Sequence, residues 1–139
     1  MCWGENACGQ ADAPPGEFQQ VAAGGNSHSC GLRTDGTVHC WGAEDFCEGR
    51  DGSSSDTGQA TPPSGEFKQV AAADWHTCGL RTWGVIDCWG ANQEGQTNEP
   101  AGTFQQMSAG GSHACGLRID GSVECWGLNI WGQLNVPTP

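Results

Sequence analysis

The sequence predicts an all-β protein built from repeated units. The stretch 28–42 recurs at 76–90 and again at 113–127, with a histidine, two cysteines and a closing Trp-Gly pair in the same places. No segment keeps a 3.6-residue apolar period for three turns, and glycine or proline interrupts nearly every window. Short apolar segments at regular spacing, separated by turn residues, are typical of β-structure.

A Cys-Trp-Gly triplet marks the period of the repeat. The triplets begin at Cys2, Cys40, Cys88 and Cys125, which lie 38, 48 and 37 residues apart. Periods of this length indicate a solenoid or a propeller. We therefore predict one domain, residues 1–139, with repeat units at approximately 2–39, 40–87 and 88–124 and a partial unit at 125–139.

The register of the repeated hairpin follows from its turn. We take Thr34-Asp35-Gly36 as a three-residue loop in which Gly36 adopts the left-handed conformation. Cys30 then lies opposite Cys40, at roughly 4.5–5.5 Å between Cα atoms, which a disulfide can span. A two-residue loop would instead place Gly31 opposite Cys40.

The other two copies keep the loop glycine and the cysteine spacing, so the same register predicts a disulfide in every hairpin. The expected pairs are Cys30–Cys40, Cys78–Cys88 and Cys115–Cys125. Each closes a loop of about ten residues and contributes roughly 2–3 kcal/mol on the chain-entropy model. Since no Cys-x-x-Cys pair occurs among the nine cysteines, we expect disulfides formed in an oxidising compartment and no metal site.

Three cysteines lie outside these hairpins. Cys8 and Cys47 occupy roughly corresponding turns of adjacent units, and we favour a Cys8–Cys47 bridge that leaves Cys2 unpaired. The alternative is a Cys2–Cys8 bridge that leaves Cys47 free.

Charge excludes two classes of partner. The formal net charge is −11, with only five lysines and arginines, so the chain should repel both nucleic acid and anionic membranes.

No run of 18 apolar residues occurs, so we expect no membrane span. The first residues also lack the basic and apolar regions of a signal peptide, and we expect either that a leader was removed or that the chain is part of a longer one.

Three motifs together carry a resemblance to a known family. They are Phe-x-x-Val-Ala-Ala-Gly, His-x-Cys-Gly-Leu-Arg-x-Asp-Gly-x-Val, and Cys-Trp-Gly followed by Gly-Gln. In this order they resemble the RCC1-like repeat (regulator of chromosome condensation), in the cysteine-rich form of bacterial and extracellular members. The resemblance implies a β-propeller with roughly one blade per repeat.

Three repeats fall short of the about 4–8 blades that close a propeller. We therefore expect blades of an incomplete ring, part of a larger propeller, or an open stack. The two ends are complementary in phase, so copies can also join head to tail into an oligomeric ring.

The function that these features favour is binding. Chromatin binding and nucleotide exchange, known in the nuclear members, need a basic face that this acidic chain lacks. No nucleophile with a base and no phosphate loop occurs in the sequence, so we predict no enzyme and no cofactor. We expect a secreted scaffold that recognises a protein, or a glycan, or else a structural subunit that assembles with copies of itself.

Candidate contact residues are those that break the repeat. Trp83 replaces an aspartate at a hairpin tip, and Trp75 and Trp131 are likewise extra tryptophans. The insertion at 44–58 adds Asp51 and Asp56 as further candidates. Its oxygens can serve Ca²⁺, but the spacing and terminal glutamate of an EF-hand are missing, so we interpret it as a polar loop.

The recurring histidines and arginines are interpreted as structural. We expect the three histidines to bond backbone near the strand starts. We expect the arginines either to pair with acidic neighbours such as Asp35 and Asp120, or to extend over the sheet edge with their charge in solvent.

Overall fold

The computed structural model describes residues 1–25, 28–43 and 57–137, and this part of the chain forms three antiparallel sheets of three strands. Sheet 1 consists of β1 (Phe18–Ala23), β2 (His28–Arg33) and β3 (Val38–Gly42). Sheet 2 consists of β4 (Phe67–Ala72), β5 (His76–Arg81) and β6 (Ile86–Gly90). Sheet 3 consists of β7 (Phe104–Gly110), β8 (His113–Arg118) and β9 (Val123–Gly127). The all-β prediction is confirmed, and the described residues contain no helix that could span a membrane.

The hairpins have the predicted register. Cys30 pairs with Cys40 and Leu32 with Val38, and the same pairs recur in the other two sheets. The Arg33 N–H donates to the Thr37 carbonyl at 2.8 Å, and Gly36 adopts a φ of 86°. Disulfides join Cys30 to Cys40, Cys78 to Cys88 and Cys115 to Cys125, so the disulfide-stapled hairpins are confirmed.

Alternation along the strands gives each sheet two different faces. On β2, His28, Cys30 and Leu32 point toward the following sheet, and we call this side the front face. Gly31 and Arg33 point the other way, toward the back face, where Phe18 lies over them.

A bulge in the first strand of each sheet completes the back face. The register with the second strand shifts between Phe18 and Gln20, and likewise between Phe67 and Gln69 and between Phe104 and Gln106. In a regular strand, residues three apart point to opposite faces, but the bulge adds one position. Phe67 and Val70 therefore lie on the same face of β4, and both are 1% exposed.

A glycine in the middle strand makes room for the phenylalanine ring. A Cβ atom added to Gly79 would lie 2.5 Å from Cδ1 of Phe67, and Gly31 and Gly116 are equally crowded by their own phenylalanines. The ring also packs on the back-face tryptophan of the same sheet, as Phe67 does on Trp89 at 6.0 Å between ring centroids.

The cores lie between sheets. Front-face residues Cys30 and Leu32 of sheet 1 pack against back-face residues Phe67 and Val70 of sheet 2, with Trp89 beside them. The second core repeats this arrangement between sheets 2 and 3, with Cys78, Leu80, Ile86, Phe104, Met107, Ala114 and Trp126.

Polar contacts join the sheets with the same regularity. The Gln20 side-chain amide donates to the Val70 carbonyl at 2.7 Å, and its oxygen accepts from the Val70 N–H at 3.0 Å. Gln69 makes the same two bonds with Met107, at 2.7 and 3.1 Å. One glutamine amide thus bonds the edge of the next sheet as a neighbouring strand would.

Candidate interaction surfaces

Trp83 lies at the tip of the β5–β6 hairpin and is held there by an arginine. Its indole ring is 61% exposed, and the Arg81 guanidinium carbon lies 5.5 Å from its centroid. The same guanidinium lies 4.0 Å from the Phe67 ring, forms an ion pair with Asp87 at 2.6 Å and donates to the Ser64 carbonyl at 2.7 Å. Arg81 is therefore fixed, and it presents the tryptophan to solvent in a defined position.

Arg81 and Arg118 pair with acidic neighbours, as expected, but the two named examples, Asp35 and Asp120, are not their partners. Arg81 pairs with Asp87, and the Arg118 Nε donates to Glu124 at 2.9 Å. The carboxylate of Asp35 instead accepts from the backbone N–H and the hydroxyl of Thr37, at 2.9 and 2.6 Å. These bonds, chiefly the one from the hydroxyl, lower the pKa of Asp35.

Asp120 repeats this arrangement with Ser122 in the next hairpin. Its pKa is also lowered, chiefly by the hydrogen bond from the Ser122 hydroxyl. Short-range bonds within the turn therefore occupy both carboxylates at the hairpin tips.

The other two candidate tryptophans lie at the opposite end of the sheets. Trp75 precedes β5 and Trp83 follows it, so the six-residue strand separates them by roughly 20 Å. Trp75 is half-buried, whereas Trp131 is 85% and Ile130 68% exposed. The predicted contact residues therefore do not form one site.

A hydrogen-bonded turn presents Trp131. The Trp131 N–H donates to the Gln133 side-chain oxygen at 2.9 Å, and the Leu134 N–H donates to the Asn129 side chain at 2.9 Å. The equivalent turn at 92–97 has the same two bonds and carries Glu94 in place of the tryptophan. Glu94 is also exposed, so the repeat places this position in solvent whichever residue occupies it.

Asp51, Asp56 and the loop oxygens considered for Ca²⁺ belong to residues 44–56, outside the described part of the chain. Within the described ranges, no group of three or more histidine, cysteine or acidic side chains is placed to hold a metal ion.

Cys8 is disulfide-bonded, and among the described residues Cys2 is a free thiol, so the Cys2–Cys8 alternative is wrong. The Cys8–Cys47 bridge stays a prediction because Cys47 belongs to residues 44–56, which lie outside the described part of the chain.

The three histidines follow one another across the sheets. The prediction that they bond backbone is wrong for His28, whose Nε2 lies 2.7 Å from the hydroxyl oxygen of Thr77 in sheet 2. Burial, and secondarily the charge of His76, lowers the pKa of His28 to about 4. Burial, and secondarily His113, likewise lowers the pKa of His76 to about 4. Both imidazoles are therefore neutral at pH 7.

Sequence reasoning missed the role of the inter-sheet glutamines. The sequence does contain a pattern that marks them: a glutamine follows two residues after each of the three repeated phenylalanines, at Gln20, Gln69 and Gln106. The bulge that turns this position toward the next sheet was not visible in the alternation of polar and apolar residues.

The repeat matches a known family. The family model of the regulator of chromosome condensation (RCC1) repeat matches residues 18–46, 67–96 and 104–133. The chain belongs to the RCC1 repeat family. Each matched segment contains one three-stranded sheet of RCC1 type, which confirms the predicted fold class. None of the curated proteins matches the sequence.

Several solved structures share the fold. The ectodomain of the receptor kinase CR4 from Physcomitrella patens is 31% identical with a TM-score of 0.66, and the match covers 90% of this chain and 32% of that one. The CRINKLY WD40 ectodomain of the Arabidopsis thaliana receptor kinase ACR4 is 29% identical with a TM-score of 0.67, covering 92% and 42%. Prp20p from Saccharomyces cerevisiae, described with its binding to Gsp1p and histones, is 23% identical with a TM-score of 0.68, covering 86% and 33%. The chain thus spans 32% to 42% of the length of these structures.

Proposed function

We propose that this chain is a non-catalytic, extracellular module that binds a protein partner through its hairpin tips. The observation that carries the proposal is Trp83. The equivalent hairpin positions hold Asp35 and Asp120, whose carboxylates are bonded within their own turns. A large indole exposed at this position contributes nothing to such a turn, and exposed tryptophans are frequent anchors of protein interfaces.

The anchor is already ordered before binding. Arg81 is 8% exposed and is bonded to Asp87 and Ser64, so its stacking on Trp83 restricts the indole in the free protein. Binding then costs less side-chain entropy than it would with a mobile tryptophan. With a net charge of −11, the module favours partners with a neutral or cationic surface, and long-range attraction speeds their association.

Two observations support an extracellular location. The three hairpin disulfides need an oxidising compartment to persist. Two of the structural neighbours, at 31% and 29% identity, are ectodomains of receptor kinases.

The test is affinity capture from the secreted proteins of the source organism, followed by titration of the purified partner. Trp83→Ser should weaken binding at least about tenfold, because a central aromatic anchor contributes more than about 1.4 kcal/mol. Trp131→Ser is the matched control, since that indole is also exposed but lies at the other end of the sheets. Equal affinities for the wild type and the Trp83 variant would refute the assignment of the surface. Binding to a glycan array without any protein partner would refute the class of ligand.

A further inference from the structure

Each junction between neighbouring sheets has an apolar half and a polar half. In the apolar half, the front-face cysteine and leucine of one sheet cover the phenylalanine and the Val or Met of the next. In the polar half, a glutamine amide bonds the backbone of Val70 or Met107. We call the contact between sheets 1 and 2 junction 1–2, and the contact between sheets 2 and 3 junction 2–3.

One histidine is buried in each junction. His28 begins β2 and is 1% exposed, and His76 begins β5 and is fully buried. Residues two apart on a strand share a face, so these rings lie on the front face beside Cys30 and Cys78 and point toward the next sheet. Both rings lie at the end of the sheets opposite the hairpin tips.

The two junctions differ in what they offer the histidine. His28 Nε2 lies 2.7 Å from the Thr77 hydroxyl, which donates to the Gln59 carbonyl at 2.9 Å. Ala114 takes the place of Thr77 in sheet 3, and neither ring nitrogen of His76 has a hydrogen-bond partner among the described residues. Junction 2–3 therefore lacks a bond that junction 1–2 has.

No acidic side chain in the described ranges offsets a charge on either ring. Burial, and then the neighbouring His76, lowers the pKa of His28, and burial followed by His113 does the same for His76. The Asp74 carboxylate, two residues before His76, packs against Gly25. Protonation of His28 or His76 therefore places an uncompensated charge inside a junction.

The other charged side chains of the packed elements lie away from the two rings. On the strands they lie on the back faces or, for Lys68, near the hairpin end of β4, and in the turn at 92–97 the carboxylate is exposed. These residues are Arg33, His39, Lys68, Arg81, Asp87, Arg118, Glu124 and Glu94.

We propose that the junctions between sheets open in mild acid while the three disulfide-bonded hairpins stay folded. Each hairpin is closed by its own disulfide and needs no histidine side chain. Junction 2–3 opens more readily than junction 1–2, because His76 has no hydrogen bond to lose. The proposal does not rest on the proposed function, since Trp83 lies at the other end of β5 from His76.

Hydrogen exchange of single backbone amides distinguishes junctions from hairpins, once the rates are corrected for the intrinsic effect of pH. The N–H groups of Phe104 and Met107 donate across junction 2–3, to the Gly84 carbonyl and the Gln69 side chain. Those of Phe67 and Val70 donate in the same way across junction 1–2. The N–H groups of Arg81 and Arg118 close the hairpins.

The four junction amides should lose protection about twentyfold between pH 7 and pH 5. A histidine ring has a pKa of about 4 in the closed junction and the ordinary value of about 6.5 once exposed, so protons favour the open state. Phe104 and Met107 should be less protected than Phe67 and Val70 at every pH, and the hairpin amides should keep their protection. An equal loss in hairpins and junctions would indicate global unfolding, and unchanged junction amides would exclude the histidines. Either result would overturn the proposal.

Two reciprocal variants assign the response to single rings. His76→Gln should remove the pH dependence of Phe104 and Met107 alone, and His28→Gln that of Phe67 and Val70 alone. His39→Gln is the matched control, since this histidine is exposed on β3, and it should change no profile. A folded His76 variant whose junction 2–3 still loses protection in acid would overturn the proposal. If neither variant folds, the comparison of junction and hairpin amides in the wild type still decides it.

Discussion

His28 and His76 occupy equivalent positions on β2 and β5 but meet different neighbours. The Thr77 hydroxyl donates to the Gln59 carbonyl at 2.9 Å, so it accepts from His28, whose Nε2 carries the proton. In sheet 3 the position of Thr77 is taken by Ala114. Both ring nitrogens of His76 are buried without a hydrogen-bond partner among the described residues. An unpaired buried polar group costs about 1–3 kcal/mol.

Ala114→Thr should therefore stabilise the protein by about 1 kcal/mol. The new hydroxyl would accept from His76 and donate to the Gln96 carbonyl, which already accepts from Trp126 at 3.0 Å. Urea unfolding at pH 7 measures the change in the free energy of unfolding. Ala114→Val, which has nearly the same shape without the hydroxyl, is the control. Equal stabilities of the two variants would contradict this account.

The lowered histidine pKa values predict loss of stability in mild acid. Burial lowers the pKa values of His28 and His76 in the folded protein to about 4, below the ordinary histidine value of about 6.5, so the unfolded chain binds protons first as pH falls. Their contribution is fully present above pH 6.5 and is lost toward pH 4, by about 2–3 kcal/mol per histidine at pH 4.5. Urea unfolding between pH 7 and pH 4.5 checks this, and a flat profile would contradict it.

The carboxyl group of Glu99 changes stability with pH in the opposite direction to the histidines, so a variant at this position provides a control. Burial raises the pKa of Glu99, so protonation of this group in acid favours the folded state. Glu99→Gln removes the opposing effect and should make the loss of stability between pH 7 and pH 4.5 steeper.

At the scale of the hairpin, each disulfide has one half-buried cysteine (Cys40, Cys88 or Cys125), and the three differ in the burial of the other cysteine. The sulfur-bearing side chains of Cys30 and Cys78 are fully buried under the next sheet, whereas Cys115 lies half-buried on the open front face of sheet 3. A reductant must reach a sulfur atom to attack it.

Limited reduction should therefore open Cys115–Cys125 before Cys30–Cys40 and Cys78–Cys88. Differential alkylation followed by peptide mapping of the monomer gives the order. Reduction of all three hairpins at one rate would mean that global unfolding, and not local exposure, controls access.

The hairpins are the part of the structure that the sequence predicts best. Cys30 and Cys40 can meet only in one register, and Gly36 fixes the loop that produces it. The partners of the arginines were not predictable in the same way. Arg81 reaches diagonally to Asp87, which lies on the same face two positions along the neighbouring strand. Asp35 is closer in sequence to Arg33, but its carboxylate accepts hydrogen bonds from Thr37 instead.

At the scale of the whole molecule, stability depends on the coupling between sheets, because a three-stranded sheet buries its faces only against its neighbours. Gln69→Leu should cost about 2–4 kcal/mol, since it leaves the buried Met107 N–H and carbonyl without partners. Gln106→Leu is the matched control, because this glutamine is exposed on the last sheet. It should change the stability of the monomer by less than about 0.5 kcal/mol. Urea unfolding at low protein concentration measures both, and equal losses would contradict the coupling.

The repeat predicts the propeller fold class, but it does not predict which residues of the repeat are exposed or where the exposed residues lie relative to one another. Trp83 and Trp131 both break the pattern in the sequence, yet only the topology shows that they lie at opposite ends of the sheets. The exposure of Val21 and Val123 likewise depends on which sheets are adjacent, and each residue looks like an ordinary core position in its own strand.

The glutamine bridge has a consequence for how such a chain can change. Gln20 and Gln69 recognise main-chain atoms, so the same amide joins a valine in one interface and a methionine in the other. The polar half of a junction is therefore kept when the side chain at this position of the next sheet changes, and only the apolar half has to be repacked. Side chains at the hairpin tips, such as Asp35 and Trp83, remain free to diverge, because the tips contribute only the backbone carbonyls of Gly36 and Gly84 to the junctions. Substitutions that change the exposed tips can therefore accumulate without altering the contacts that hold the sheets together.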